Sequence, residues 1–138
     1  TLATLLVLAL ASVASARSYG IHVRGGLAPT QTRQSVRQYA HTLVIARWHS
    51  EAEWRAFEAI VRPESNWNPC AYYPSRSDCR YTGRRSCGIP QANPCPREWL
   101  GRMWETRYAQ VRWMRDYVAR RYGTPSRALA FRRLKGWY

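Results

Sequence analysis

The stretch Ser50–Glu64 reads SEAEWRAFEAIVRPE, and the spacing of its apolar positions decides the fold class. Trp54, Phe57 and Val61 recur at i, i+3 and i+7, one stripe of an amphipathic helix. Ser50 and Glu53 stand at capping-box spacing just ahead of it. Upstream, Val36, Ala40, Leu43 and Val44 follow the same period, so a first helix over 31–46 and this second one form a hairpin that turns near Trp48 and His49. Pro63 lacks an N–H and disfavours helical geometry at Arg62, so it is expected to stop or kink the second helix. Glu64 follows directly.

Downstream, residues 66–96 hold all four cysteines and many turn formers, with Tyr72, Tyr73 and Tyr81 as the only strand material. Helical periodicity resumes after Pro96 and is clearest at Val111, Met114, Val118 and Tyr122, ending at Gly123, a suitable C′ residue. Thr124 and Pro125 then suit the N-cap and N1 positions of a last short helix reaching about Leu134. The expected fold is mainly α: two helices, a disulfide-stapled loop with at most a small β-hairpin, and two more helices. By helical phase Trp48, Trp54 and Trp113 belong to the core, and Trp67 is assigned there too.

At the other end, Leu2–Val13 is an uncharged, almost wholly apolar run followed by Ala14, Ser15 and Ala16, a small-x-small pattern suited to signal-peptidase cleavage before Arg17. The run falls well short of the roughly 20 residues that span a bilayer, so a cleaved signal is expected rather than a stable membrane anchor. There is no initiating Met and no basic n-region, so residues 1–16 read as a secretory signal truncated at its start. Residues 17–29 read as a flexible leader, and 30–138 as the folded domain. Export makes Cys70, Cys79, Cys87 and Cys95 disulfide candidates. Three connectivities are open. Cys70 with Cys79 and Cys87 with Cys95 are favoured because each closes a short local loop. No C-x-x-C spacing occurs and His22, His41 and His49 lie outside the cysteine segment, so neither a metal nor a cofactor is expected.

The chain of 138 residues is one domain in size and carries 22 Lys and Arg against 8 Asp and Glu, a formal charge of +14. At 46% apolar and 13% aromatic it has the material for a core, which excludes intrinsic disorder. Residues 1–16 bear no charge, so the 122 residues that follow keep all of it. Outside a cell the polyanions within reach are those of the envelope, and the basic residues are dispersed instead of gathered in one arm. Anionic cell-wall polymers are therefore the expected partner and nucleic acid is not.

Among the eight acids, Glu64 stands apart. It lies three residues past Val61 and seven past Phe57, on the face that the helix buries. Partial burial beside Trp67 would disfavour ionisation and raise its pKa toward neutrality, as a general acid needs. A cap or a salt bridge to one of the arginines is the structural alternative. The other acid between Glu64 and Gln91 is Asp78, read as an ion pair with Arg76 or Arg80, or else as a second carboxylate.

Four pieces of sequence in order carry a resemblance: VRPESNWNP over 61–69, SCGIPQA over 86–92, YGTP over 122–125 and GWY over 136–138. Together they resemble the lytic transglycosylase-like (SLT-type) domains of the lysozyme superfamily, in the small secreted actinobacterial and phage-borne form whose pattern runs R-E-S-x-W-N-P, G-I-P-Q-A, Y-G-x-P, G-W-Y. The likeness covers about 35–138. It implies a lysozyme-like helical domain with Glu64 as catalytic acid, acting on the β-1,4 bond between N-acetylmuramic acid and N-acetylglucosamine in peptidoglycan strands. In such a family the same carboxylate then takes the proton of the muramoyl 6-hydroxyl, which attacks C1 and leaves a 1,6-anhydro end. An internal nucleophile needs no second protein carboxylate, unlike a hydrolase with its paired acids. The resemblance also implies that Ser65 supports Glu64 and that Gln91 hydrogen-bonds the sugar chain. Trp137 and Tyr138 are candidates for stacking on sugar faces.

The chain departs from that pattern in three places. Pro63 stands where Arg precedes the Glu, 68–86 is longer and brings Cys70 and Cys79, and 131–135 (FRRLK) replaces a polar, often His-containing approach to G-W-Y. The expectation is a secreted, monomeric cell-wall lytic transglycosylase without cofactor. A muramidase cutting the same bond and a non-catalytic cationic wall binder are the alternatives.

Overall fold

The computed structural model describes residues 30–138, with side chains from Arg33 onward. The expected signal at 1–16, the leader at 17–29 and His22 lie outside the described residues. The order is α1 (Thr30–Trp48), α2 (Glu51–Ser65), β1 (Ala71–Tyr72), β2 (Arg76–Ser77), a 3-10 turn at Arg97–Trp99, α3 (Arg107–Tyr122) and α4 (Pro125–Lys135). The fold is mainly α with a disulfide-stapled loop and one small hairpin, as the periodicity predicts.

Each helix takes its limits from local chemistry. His49 turns the chain with φ 51°, and the Ser50 hydroxyl accepts the Glu53 N–H at 3.3 Å to cap α2. Glu53 does not complete a capping box. Its carboxylate crosses to α4, where it accepts the Ser126 N–H at 2.8 Å and hydroxyl at 2.9 Å. That helix has no acid in its own first turn, so Glu53 supplies the negative charge that its N-terminus favours. Thr124 caps α4 through the Arg127 N–H, and Gly123 ends α3 with φ 80°.

Pro63 does not stop α2, which runs on to Ser65 before Asn66, at φ 48°, closes it with its N–H on Val61 and Arg62 carbonyls. The ring forfeits one backbone bond in the last turn. The buried Phe57, Ile60 and Val61 just upstream hold the helix against its neighbours, and tertiary packing outweighs the local preference.

α2 lies along α4, and α1 lies along both α2 and α3. Their facing stripes form one core of Val36, Ala40, Val44, Trp54, Phe57, Ile60, Val61, Val111, Met114, Val118 and Ala128, closed at one end by Trp67 and Ile89. Of the three tryptophans assigned inside by phase, Trp54 is buried, but Trp48 and Trp113 are only half-buried. Trp48 stays at the rim because its indole N–H donates to the Gly123 carbonyl at 2.8 Å.

A smaller core of Cys70, Cys87, Ala92, Cys95, Trp99 and Met103 lies under the loop. The disulfides are Cys70–Cys79 and Cys87–Cys95, the two short local loops. The hairpin pairs Ala71 with Ser77 and Tyr72 with Arg76. Tyr81, expected as strand material, instead stacks on Tyr72 with ring centroids 4.1 Å apart. After Pro96 only the 3-10 turn follows directly, and α-helix resumes at Arg107. Burial of Trp99 and Met103 in the small core draws 97–106 across the loop, and backbone bonds from Gly101 to Tyr81 and from Met103 to Cys79 fix it there.

Candidate functional site

The site starts from the end of α2. Because that helix continues past Pro63, Glu64 keeps its helical phase and emerges where the loop begins. A groove crosses the surface at this point in two lobes. The first, about 510 Å³, is walled by Trp113, Tyr117, Trp137 and Tyr138, with Arg121 among its lining residues. The second, about 660 Å³, is lined by Ser65, Asn66, Asn68, Ser75 and Ser77, with Arg62 and Arg76. Three residues line both lobes: Glu64, Tyr73 and Gln91. Glu64 thus lies where an aromatic half meets a hydroxyl- and amide-rich half.

Among the described residues no other acidic side chain lines either lobe. Asp78 is exposed, and it accepts the Arg80 backbone N–H at 2.9 Å instead of pairing with a guanidinium. Glu64 does form a salt bridge. Oε1 accepts Arg132 Nε at 2.9 Å, and both side chains are largely covered, at 19% and 24% exposure respectively. Among the described residues no hydrogen bond reaches Oε2.

The turn opposite Glu64 is held from below. Gly88 adopts φ 75°, and a Cβ there would come within 2.7 Å of the Gln110 amide oxygen. Gln110 is fully buried. Its Oε1 accepts the Ile89 N–H at 2.9 Å, while Nε2 donates to Met103 O at 2.8 Å, Pro69 O at 3.2 Å and Thr106 Oγ1 at 3.2 Å. This one amide therefore joins α3 to both ends of the stapled loop. Ser65 adds a second tie, its hydroxyl donating to the Ile89 carbonyl at 2.8 Å.

Gln91, at φ 51°, donates Nε2 to the carbonyls of Gly88 at 2.9 Å and Ala71 at 3.2 Å. Two carbonyl partners require the NH₂ end of the amide, which leaves Oε1 as an acceptor in the groove. The Tyr138 hydroxyl donates to the Pro90 carbonyl at 2.7 Å. Burial, with the Glu64 carboxylate adding to it, pushes this phenol well above its ordinary range, so it remains a neutral donor. Trp137 is 51% exposed, edge-on to Phe131.

Of the residues singled out in the sequence, Glu64, Gln91, Trp137 and Tyr138 meet in the first lobe, and Ser65 lines the second. Trp67 is in the core against Trp54. Sequence reasoning missed Arg132, Gln110, Tyr73 and the row Trp113, Tyr117, Arg121. That row has its own signal, a four-residue spacing beside the core stripe Gln110, Met114, Val118. The Arg132 contact spans 68 positions and has no local signal. Among the described residues no cluster of three or more His, Cys, Asp or Glu could hold a metal ion, and no helix is long and apolar enough to cross a membrane. No family model, curated protein or solved structure matches the chain.

Proposed function

We propose that the protein is an exported enzyme that cleaves the β-1,4 bond between N-acetylmuramic acid and N-acetylglucosamine in peptidoglycan, as a lytic transglycosylase. The observation that carries this reading is Glu64, the one acidic side chain among the described residues lining a two-lobed groove, at the junction of the lobes. A glycan strand lying along the groove has sugars on both sides of that carboxylate. Trp113 and Tyr117, stacked with centroids 5.1 Å apart, offer an apolar wall to a sugar face. Gln91 Oε1 accepts from a sugar hydroxyl or acetamido N–H.

In the first step Glu64 gives a proton from Oε2 to the glycosidic oxygen, and the C1–O bond breaks. The carboxylate then takes the proton of the muramoyl 6-hydroxyl as its oxygen bonds to C1, closing the 1,6-anhydro ring. Arg132 on Oε1 orients the group through both steps. A hydrolase of the paired-acid type needs a second acidic side chain some 5–10 Å away, and among the described residues none lines the groove. Two disulfides suit an oxidising compartment. The +14 charge would hold the enzyme on an anionic wall.

A second reading, a non-catalytic cationic wall binder, is favoured by the charge and by the occupation of Glu64 by Arg132. Digestion of purified peptidoglycan followed by mass spectrometry separates the two. The wild type should release muropeptides with anhydromuramoyl ends, and Glu64→Gln should lose release while keeping its thermal transition. Reducing ends would make the enzyme a muramidase. Wall binding without release would establish the binder.

A further inference from the structure

The aromatic lobe contains a cation that the proposed chemistry does not use. Arg121, in the last turn of α3, lies over four rings, with its guanidinium carbon 5.1 Å from the Trp137 centroid, 5.5 Å from Tyr122, 5.7 Å from Tyr117 and 5.9 Å from Phe131. Its Nη1 donates to the Tyr117 hydroxyl at 2.6 Å. A guanidinium has five N–H donors, so most remain for a ligand, and the rings hold the planar fork in place before anything binds. Among the described residues no ion pair reaches Arg121. The acidic side chain in this lobe, Glu64, is matched by Arg132, so Arg121 stands beside apolar walls with no acidic side chain paired to it among the described residues.

We infer that the aromatic lobe is a carboxylate subsite built on Arg121, which makes the groove selective for glycan strands bearing free carboxylates over neutral ones of the same backbone. One fixed fork suits a planar carboxylate bound through two parallel N–H···O bonds. The apolar walls suit the short aliphatic group that carries such a carboxylate. This inference rests on reading the groove as a glycan site. The carboxylate has two sources in peptidoglycan, the lactyl group of an unsubstituted muramic acid and the acidic residues of a stem peptide.

The test is binding to the Glu64→Gln protein, followed by tryptophan fluorescence, since Trp113 and Trp137 line the lobe. Three tetrasaccharides are titrated: all N-acetylglucosamine, alternating with free lactyl carboxylates, and the same with peptide stems. A carboxylate-bearing ligand should bind about tenfold tighter than the neutral one, the equivalent of about 1.4 kcal/mol. The arm that shows the gain names the source. Methyl esters of that ligand should bind like the neutral tetramer, and Arg121→Gln should bring the ratio of acid to neutral affinity down to about one. Equal affinities for the three ligands, esters as tight as acids, or an Arg121→Gln loss common to all three would overturn the inference. A protein that keeps the carboxylate preference but releases no muropeptides would sink the enzymatic reading and leave the subsite standing.

Discussion

Replacing Gln110 by Leu keeps a bulky side chain at the position and removes four polar contacts at once. The Ile89 N–H loses its acceptor and the Pro69 carbonyl loses its Nε2 donor, whereas Met103 O keeps the Thr106 hydroxyl at 3.3 Å. A buried group left unpaired costs about 1–3 kcal/mol. With partial relaxation the two orphans should cost about 2–4 kcal/mol, a large share of the roughly 5–15 kcal/mol that stabilises a domain. Near 100 residues each kcal/mol moves the midpoint by about 4–8 °C, so a fall of ~10 °C or more is expected. Urea unfolding measures it directly, as a lower midpoint at unchanged m. Gln110→Glu adds a discriminating arm. Ionised, it buries a charge; protonated, it restores both a donor and an acceptor, so its deficit should shrink as pH falls. A Leu variant within about 1 kcal/mol of wild type would refute the idea that this amide holds the loop on α3.

Two further outcomes follow from the same structure. Gly88→Ala should cost about 2 kcal/mol or more, through positive φ and a Cβ 2.7 Å from Gln110 Oε1. In a double-mutant cycle it should couple with Gln110→Leu, and strict additivity would count against the contact. Hydrogen bonding from Arg37 holds the Glu58 carboxyl below its ordinary 4.5, against the opposing effect of burial. A depressed folded value contributes stability above pH 4.5 that is lost as pH falls through that folded value. Arg37 is substantially exposed, so the gap between wild type and Glu58→Gln should be under about 1.5 kcal/mol at pH 7. It should close in acid, and a gap independent of pH would exclude the ion pair as its source.

What the sequence made legible was local. The α1–α2 turn, the Ser50 and Thr124 caps, the end of α3 at Gly123 and the two short disulfide loops each depend on neighbours within a few residues, and each was readable. Pro63 misled because a single residue's preference was weighed against nothing, whereas the folded chain sets it against the buried Phe57, Ile60 and Val61. The late start of α3 was hidden for a similar reason, since Trp99 and Met103 answer to a core that the disulfides create. At the site, Glu64 was visible from helical phase. Arg132 and Gln110 were not, because a salt bridge across 68 positions and an amide serving backbone groups from three segments leave no periodic trace. Trp113 packs against both cores from the edge of its helical stripe and also lines the groove, a second role that phase alone does not show.

The bond between Cys70 and Cys79 encloses Tyr72, Tyr73, Ser75, Arg76 and Ser77, all of which line the second lobe. None of these five belongs to the helical core. Part of the second lobe is thus carried on a covalently closed ring, while the rest of its lining comes from the end of α2, Asn66, Asn68 and Gln91. Tyr73, Ser75 and Arg76 are exposed and belong to neither core, so these three positions can change the ligand preference of that side while the fold and the acid at the groove's centre stay as they are, whereas Tyr72 is tied to the smaller core.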